Sequence, residues 1–256
     1  TDKTFLGETG NWNGNDIIEI VCKQPATARF LARHLYNYFV ADEPQIPAWR
    51  LTPPRDQKAI EALEKAYWDS GHSINAMLEV LFNSDFFKDE AVRYQKIKNP
   101  TEMVVSLLRM TGEFKGYQPG LFEASQEPKY MGMDLMNPPT VEGWHTGREW
   151  IDSGTLVERI NFASDLLGNT ELEGVRSLVV RLMARGDKLS PEQFVNGCLD
   201  LTGPVVLSPD TMSQLISHAT NEGELSHGTD SEKIEFTRRT GEMFQMIAAT
   251  AEFQFE

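Results

Sequence analysis

The chain has 256 residues and carries 24 lysines and arginines against 38 aspartates and glutamates, which gives a formal charge of −14. Such a charge repels a phosphate backbone or an anionic membrane, so we expect no nucleic-acid partner. No segment approaches the roughly 18 apolar residues needed to cross a bilayer, so we expect no membrane span. The length allows a substantial core without disulfides, and two cysteines, Cys22 and Cys198, form no disulfide framework.

Helix signals follow one another along the chain with little between them. Pro25 suits the first position of a helix, where its missing N–H is not needed. At Asn99–Glu102 a capping amide, a proline and an acid occupy the positions of a capping box. The pairs at Ser190 and Ser208, each followed by proline, repeat this device. Each of these four sites therefore predicts the start of a helix.

Other starts and ends are predicted from single residues. Asn15 is a candidate cap for the first helix, and Thr155, with an acid three residues later, is a candidate capping box. The apolar period from Val175 to Met183 predicts a helix that Gly186 terminates. Strands are predicted only at two short stretches, Thr4–Leu6 and Val205–Leu207.

These signals predict an all-α fold, an irregular array of about ten helices with a long Trp-rich loop. We expect one helical domain over residues 1–256. A subdivision into a front helical layer, 1–136, and a back layer, 155–256, is possible, because the loop at 137–154 separates two helical stretches. Long irregular connections in compact domains are usually functional or disordered, and two tryptophans argue against disorder.

The loop concentrates groups that could act in acid–base chemistry. The candidate catalytic residues are His145, Glu142, Glu149 and Asp152. A histidine near carboxylates forms a general acid–base pair if nearby indoles raise a carboxyl pKa toward neutrality. The alternative is a structural loop, in which Arg148 bridges a glutamate and buried indoles pin the backbone.

The same loop could bind another molecule. The candidate binding residues are Trp144, Arg148, Trp150 and Asn137, and tryptophan and arginine are common at the energetic centres of interfaces. Only His145 is a favoured transition-metal ligand in the loop, so we predict no metal site and no cofactor there. A calcium site made of oxygens alone is the alternative.

Several phrases of the sequence resemble one bacterial family, catalogued as domain of unknown function 1800. They are Gln24–Phe30, Leu35-Tyr36 with Phe39-Val40, Ser84–Phe87, Lys96–Pro100, Asn137–Pro139 with Val141–Trp144, and the closing Ala251–Gln254. The resemblance extends along nearly the whole chain. It implies that the chain is the C-terminal half or more of a member and a fragment of a longer protein, which fits a start at Thr1.

The family has no established activity, so the resemblance implies no catalytic residue. It implies an exported protein, extracytoplasmic (periplasmic or secreted), with a sulfatase-like exported protein as a possible partner. Three hypotheses follow. The first is a helical module that binds a protein partner through the Trp-rich loop, the second is a hydrolase-like enzyme that uses His145 with the loop carboxylates, and the third is a structural component of a secreted or surface assembly.

Overall fold

The computed structural model describes residues 1–114, 116–144 and 146–255. Over these residues the chain forms twelve α-helices, four 3₁₀ helices and four very short strands. The predicted all-α fold is therefore confirmed, with two helices more than the number expected. Within this part of the chain, no helix combines the length and apolar character required to cross a membrane.

The contacts divide the chain into two compact units, Thr1–Lys96 and Ile97–Glu256. In the first unit the elements are β1 (Lys3–Phe5), β2 (Glu8–Gly10), α1 (Gly14–Cys22), α2 (Pro25–Phe39), α3 (Gln57–Asp69), α4 (Ile74–Asn83) and α5 (Asp85–Lys88), with 3₁₀ helices at Ile46–Arg50 and Glu90–Val92.

The core of the first unit is formed by α2, α3 and α4. Tyr36, Ile60, Leu63 and Leu81 are almost completely buried in it. A two-residue turn closes the antiparallel hairpin β1–β2, and both of its residues have positive φ, 46° at Leu6 and 87° at Gly7. Two positive φ values are typical of the tight turns that match strand twist.

A buried ion pair fixes the proline-rich segment that follows α2. Arg33 and Glu43 have side chains that are only 4% and 0% exposed, and the arginine Nη2 lies 2.7 Å from the glutamate Oε2. The guanidinium also donates to the carbonyls of Trp49, Thr52 and Pro53. One arginine therefore holds a long irregular segment against α2, and the buried charge is paired as its location requires.

The second unit contains the remaining elements and also the segment 137–154. Its elements are α6 (Pro100–Thr111), α7 (Leu121–Tyr130), α8 (Ser153–Gly168), α9 (Glu173–Met183), β3 (Lys188–Leu189), α10 (Pro191–Thr202), α11 (Pro209–Asn221), β4 (Leu225–Ser226) and α12 (Asp230–Ala248), with 3₁₀ helices at Gly147–Trp150 and Glu252–Gln254. The strands β3 and β4 pair antiparallel.

The second unit has its own apolar core, built chiefly from α6, α8, α9, α10 and α12. A fully buried arginine, Arg159, lies within it and donates to the side chain of Gln254 and to the carbonyl of Lys98, both at 2.8 Å. Burial lowers the pKa of Arg159 to about 10. This side chain links α8 to residues near both ends of the unit, and among the described residues its Nη1 finds no acceptor.

Four helix starts agree with the predictions, at Pro25, Pro100, Pro191 and Pro209. Other local predictions were wrong by a few residues. Asn13, not Asn15, caps α1, because its side chain and that of Asp16 form a reciprocal capping box. Strand pairing also needs a partner, and Val205–Leu207 has none, so the strand predicted there is absent.

In the second unit, the structure also corrects the predicted start of one helix and the predicted end of another. Asp152, not Thr155, is the N-cap of α8, because its carboxylate is the group that accepts the free backbone N–H groups. The helix α9 ends at Met183, before Gly186.

Candidate functional site

A tight turn presents the tip of the Trp-rich loop to solvent. The amide of Gly143 donates to the carbonyl of Thr140 at 3.1 Å, and the hydroxyl of Thr140 donates to the carbonyl of Gly143 at 3.2 Å. Gly143 has a φ of 101°, a backbone conformation that residues with a Cβ atom rarely adopt. The turn leaves Val141 and the candidate Glu142 exposed at its tip.

The two tryptophans of the loop differ in their environments. Trp150 is buried, and its carbonyl accepts a hydrogen bond of 3.0 Å from the hydroxyl of Thr155. Trp144 is half-buried, and its Nε1 is shielded from solvent without an acceptor among the described residues. A shielded indole N–H without an acceptor lacks the hydrogen bond that usually offsets its desolvation. Trp150 therefore anchors the loop, whereas the Nε1 of Trp144 is a donor that no described residue accepts.

The candidate Asp152 has a structural role at the start of α8. Its Oδ1 accepts the backbone N–H groups of Gly154 and Thr155 at 2.7 and 2.9 Å. Hydrogen bonds from Thr155 and Gly154 lower the pKa of Asp152 below its usual value of 3.8. The group is thus held as a carboxylate, which is suited to capping and not to donating a proton near neutral pH.

The remaining charged candidates of the loop lie close to Trp150 and Asp152 in sequence. Arg148 and Glu149 are exposed on the 3₁₀ helix Gly147–Trp150. The candidate His145 lies outside the described residues. Acid–base chemistry in this loop therefore stays a prediction.

Asn137 belongs to a second turn, at the start of the loop. Its Nδ2 donates to the Oδ2 of Asp134 at 3.2 Å, and the Nζ of Lys129 lies 3.2 Å from the same oxygen. The hydrogen bond from Asn137 has the largest effect and that from Lys129 the next, and both lower the pKa of Asp134. The amide of Asn137 is therefore used within the chain, although the residue is exposed.

The segment that leads into the loop exposes an unusual number of large apolar side chains. We call this set the α7 surface, and it consists of Tyr117, Leu121, Phe122, Tyr130, Leu135, Met136 and Val141. Phe122 is 72% exposed and Met136 is 93% exposed. Only Pro128 is buried in α7 itself. Because ten-residue helices are marginal in isolation, a helix with so little burial gains stability from any further apolar contact.

The charge around the α7 surface is negative. From Tyr117 to Asp152 the chain has six carboxylates and two basic side chains, so the formal charge of this stretch is 2 − 6 = −4 with histidine neutral. One of the two bases, Lys129, already pairs with Asp134. The other, Arg148, is exposed and has no ion pair with any residue the structure describes. The segment that carries the exposed apolar side chains is therefore net acidic.

The sequence reasoning missed a group of possible metal ligands in α11 and α12. His218, Glu222 and Glu242 each place one ligand atom within 4.8 Å of those of the other two. The four-residue spacing of the first two on a helix was visible in the sequence. The third comes from another helix, and only the tertiary structure brings it close.

Comparison with known proteins gives one match. A family model described as "Protein of unknown function (DUF1800)" matches residues 1–255, essentially the entire chain, as the resemblance predicted. Neither a curated protein nor a solved structure matches this sequence. Since the family model covers far more than half of the sequence, the chain belongs to the DUF1800 family, whose members have no assigned function.

Proposed function

We propose that this chain is a protein-binding module and that the α7 surface, together with Arg148, contacts the partner. The observation that carries the proposal is the exposure of seven large apolar side chains within one continuous segment of the chain. Contiguous exposed apolar surface on a folded protein usually marks an interaction site. Aromatic side chains and arginine are also the residues that contribute most to interface energies.

The charges specify the kind of partner. Exposed apolar side chains on a net acidic segment are complemented by a protein that has an apolar patch and basic residues near it. The whole chain has a charge of −14, which would accelerate the approach of such a partner and slow the approach of an acidic one. The sulfatase-like exported protein implied by the family resemblance is the first candidate to test, in an extracytoplasmic compartment.

The test begins with a photo-crosslinking residue at Phe122. The matched control is the same residue at Ile234, a large apolar side chain on α12 that is 73% exposed but distant in sequence from the α7 surface. The crosslinked protein is identified by mass spectrometry and purified. Its dissociation constant is then measured for the parent chain, for Phe122→Ser with Met136→Ser, and for Ile234→Ser.

We expect crosslinking from position 122 and none of the same product from position 234. The double variant should weaken binding at least tenfold, because loss of two central side chains costs about 2 kcal/mol or more. Ile234→Ser should bind as the parent does, and higher salt should slow association. Equal affinity of the parent and the double variant for the crosslinked partner would refute the proposal.

Two other functions stay as predictions from the sequence. A hydrolase-like enzyme would require Glu142 or Glu149 to work with His145, because Asp152 is engaged as a helix cap. A structural component of a surface assembly would require divalent ions to bridge acidic groups. A dependence of self-assembly on calcium would distinguish this last function from partner binding.

A further inference from the structure

A second set of functional groups lies at the end of α11, away from the Trp-rich loop in sequence. His218 and Glu222 are four residues apart on α11 and its C-cap, so their side chains lie on one face of the helix. Glu242 reaches the same place from α12, and the three ligand atoms lie within 4.8 Å of one another. One imidazole nitrogen and two carboxylate oxygens, contributed by two helices, therefore converge on one point.

The spacing of these atoms is close to that of a metal site. Around Zn²⁺, with bonds of about 2.1 Å, tetrahedral ligand atoms lie roughly 3.4 Å apart. The three side chains thus need to close by little more than about 1 Å, which small rotations of long side chains supply. His218 is half-buried and has no hydrogen bond among the described residues, so its ring nitrogens are available.

The arginine that now bridges the two carboxylates occupies the place of a cation. The Nη1 of Arg238 lies 2.5 Å from the Oε1 of Glu242, and its Nη2 lies 3.6 Å from the Oε1 of Glu222. Arg238 has a third carboxylate, Glu235, whose Oε1 is 2.5 Å from the same Nη2. It can therefore release Glu222 and Glu242 to a metal and still keep an ion pair.

A second arginine leaves Glu222 available as well. The Nε of Arg239 is 2.8 Å from the Oε2 of Glu222, an ion-pair contact without the geometry of a hydrogen bond. The rest of this buried guanidinium donates to backbone carbonyls in the last turn of α11 and just after it, including those of Ala219 and Gly223. Arg239 thus serves chiefly as a cap for α11, and the cation that a metal would have to displace from the Oε1 of Glu222 is Arg238.

We propose that His218, Glu222 and Glu242 form a binding site for a divalent transition metal, with Zn²⁺ as the representative ion, and that Arg238 competes with the metal for the carboxylates. A site with an imidazole ligand and only three protein ligands favours Zn²⁺ over Ca²⁺ and Mg²⁺, which require mostly oxygen ligands and more of them. Because the ligands come from α11 and α12, the bound ion joins the end of α11 to α12.

The test measures zinc binding to the full chain after removal of any affinity tag. Competition with a chelator of known affinity gives the dissociation constant, and mass spectrometry under native conditions gives the stoichiometry. The variants are His218→Gln, Glu242→Gln and Arg238→Gln. The matched control is Asp230→Asn, which removes another carboxylate of α12 that pairs only with Lys233 among the described residues.

We expect one zinc ion per chain and a higher thermal midpoint in its presence. His218→Gln and Glu242→Gln should each weaken binding at least tenfold, whereas Asp230→Asn should not. Arg238→Gln should strengthen binding several-fold, because the competing cation is removed. Unchanged affinity in both ligand variants would overturn the site, tight binding of Ca²⁺ that survives His218→Gln would overturn the choice of metal, and weaker binding by Arg238→Gln would overturn the competition.

Discussion

The buried ion pair between Arg33 and Glu43 allows a quantitative prediction about the first unit. The Oε2 of Glu43 accepts hydrogen bonds from the Nε and the Nη2 of Arg33, at 3.1 and 2.7 Å. The Oε1 of Glu43 accepts a hydrogen bond from the backbone N–H of Arg55 at 2.8 Å. Glu43→Ala removes all three hydrogen bonds and leaves a guanidinium that water does not reach. We expect a large loss of stability in the first unit, in the helices α2 and α3 that flank the segment held by this pair.

The magnitude follows from the environment of the guanidinium. Breaking a buried ion pair by removing one partner costs about 3–5 kcal/mol. Three backbone carbonyls still accept from Arg33, and its Cζ lies 4.7 Å from the ring centre of Trp49, so the charge keeps part of its stabilisation. We therefore expect the lower end of this range, about 3 kcal/mol, which is roughly a 100-fold change in an opening equilibrium.

Hydrogen–deuterium exchange measures this change where it occurs. Amides of α2 and α3 should exchange roughly 100-fold faster in Glu43→Ala, while amides of α9 and α10 should change little. The matched control is Glu64→Ala, which removes the partner of Arg29, a surface arginine on the same helix whose side chain is 55% exposed. Surface pairs contribute about 0–1 kcal/mol, so this variant should exchange nearly as the parent does.

A double variant separates the buried charge from the packing. Arg33→Met with Glu43→Leu removes both charges and keeps apolar volume, and it should recover most of the stability lost in Glu43→Ala. If Glu43→Ala changed exchange in α2 no more than Glu64→Ala does, the ion pair would not hold this segment and the reasoning would be refuted.

Three further predictions concern the second unit and the thiols. Gly174→Ala should lower the thermal midpoint by several degrees, because the added Cβ would lie 1.0 Å from the carbonyl oxygen of Thr111 and overpacking costs about 1–3 kcal/mol. The pKa of Asp152 is lowered by folding, so its carboxylate stabilises the fold above its ordinary pKa of 3.8, and this contribution is lost as pH falls through the lower folded value. Asp152→Asn should preserve the cap but remove that pH dependence from thermal unfolding curves. In thiol labelling of the native chain, Cys22 should react before Cys198, because Cys198 is buried and burial raises its pKa.

The starts of several helices could be predicted because their causes are local. At Asn99 and Ser190 the capping side chain, the proline and the acid or amide that completes the capping box lie within four consecutive residues. Such contacts form within one turn of the chain, so no distant residue is needed to specify them. The same locality explains the errors at α1 and α8, where neighbouring polar residues, such as Asp152 and Thr155, compete for one capping position.

The candidate site depended more on tertiary structure. The sequence indicated that the loop at 137–154 was unusual, but not that Trp150 is buried while the shielded Nε1 of Trp144 meets no acceptor among the residues described. Nor did it indicate that Phe122 and Met136 are exposed, because an apolar side chain is buried only if another element covers it.

The sequence by itself determined the helical class, several helix starts and the acidic character of the chain, since these depend on composition and on neighbours within one turn. The tertiary structure decided which distant groups meet. Arg33 pairs with Glu43 across a loop, and Glu242 joins His218 only because α12 packs on α11. Such contacts have no local signal, because their geometry is fixed by the packing of whole elements and not by spacing along the chain.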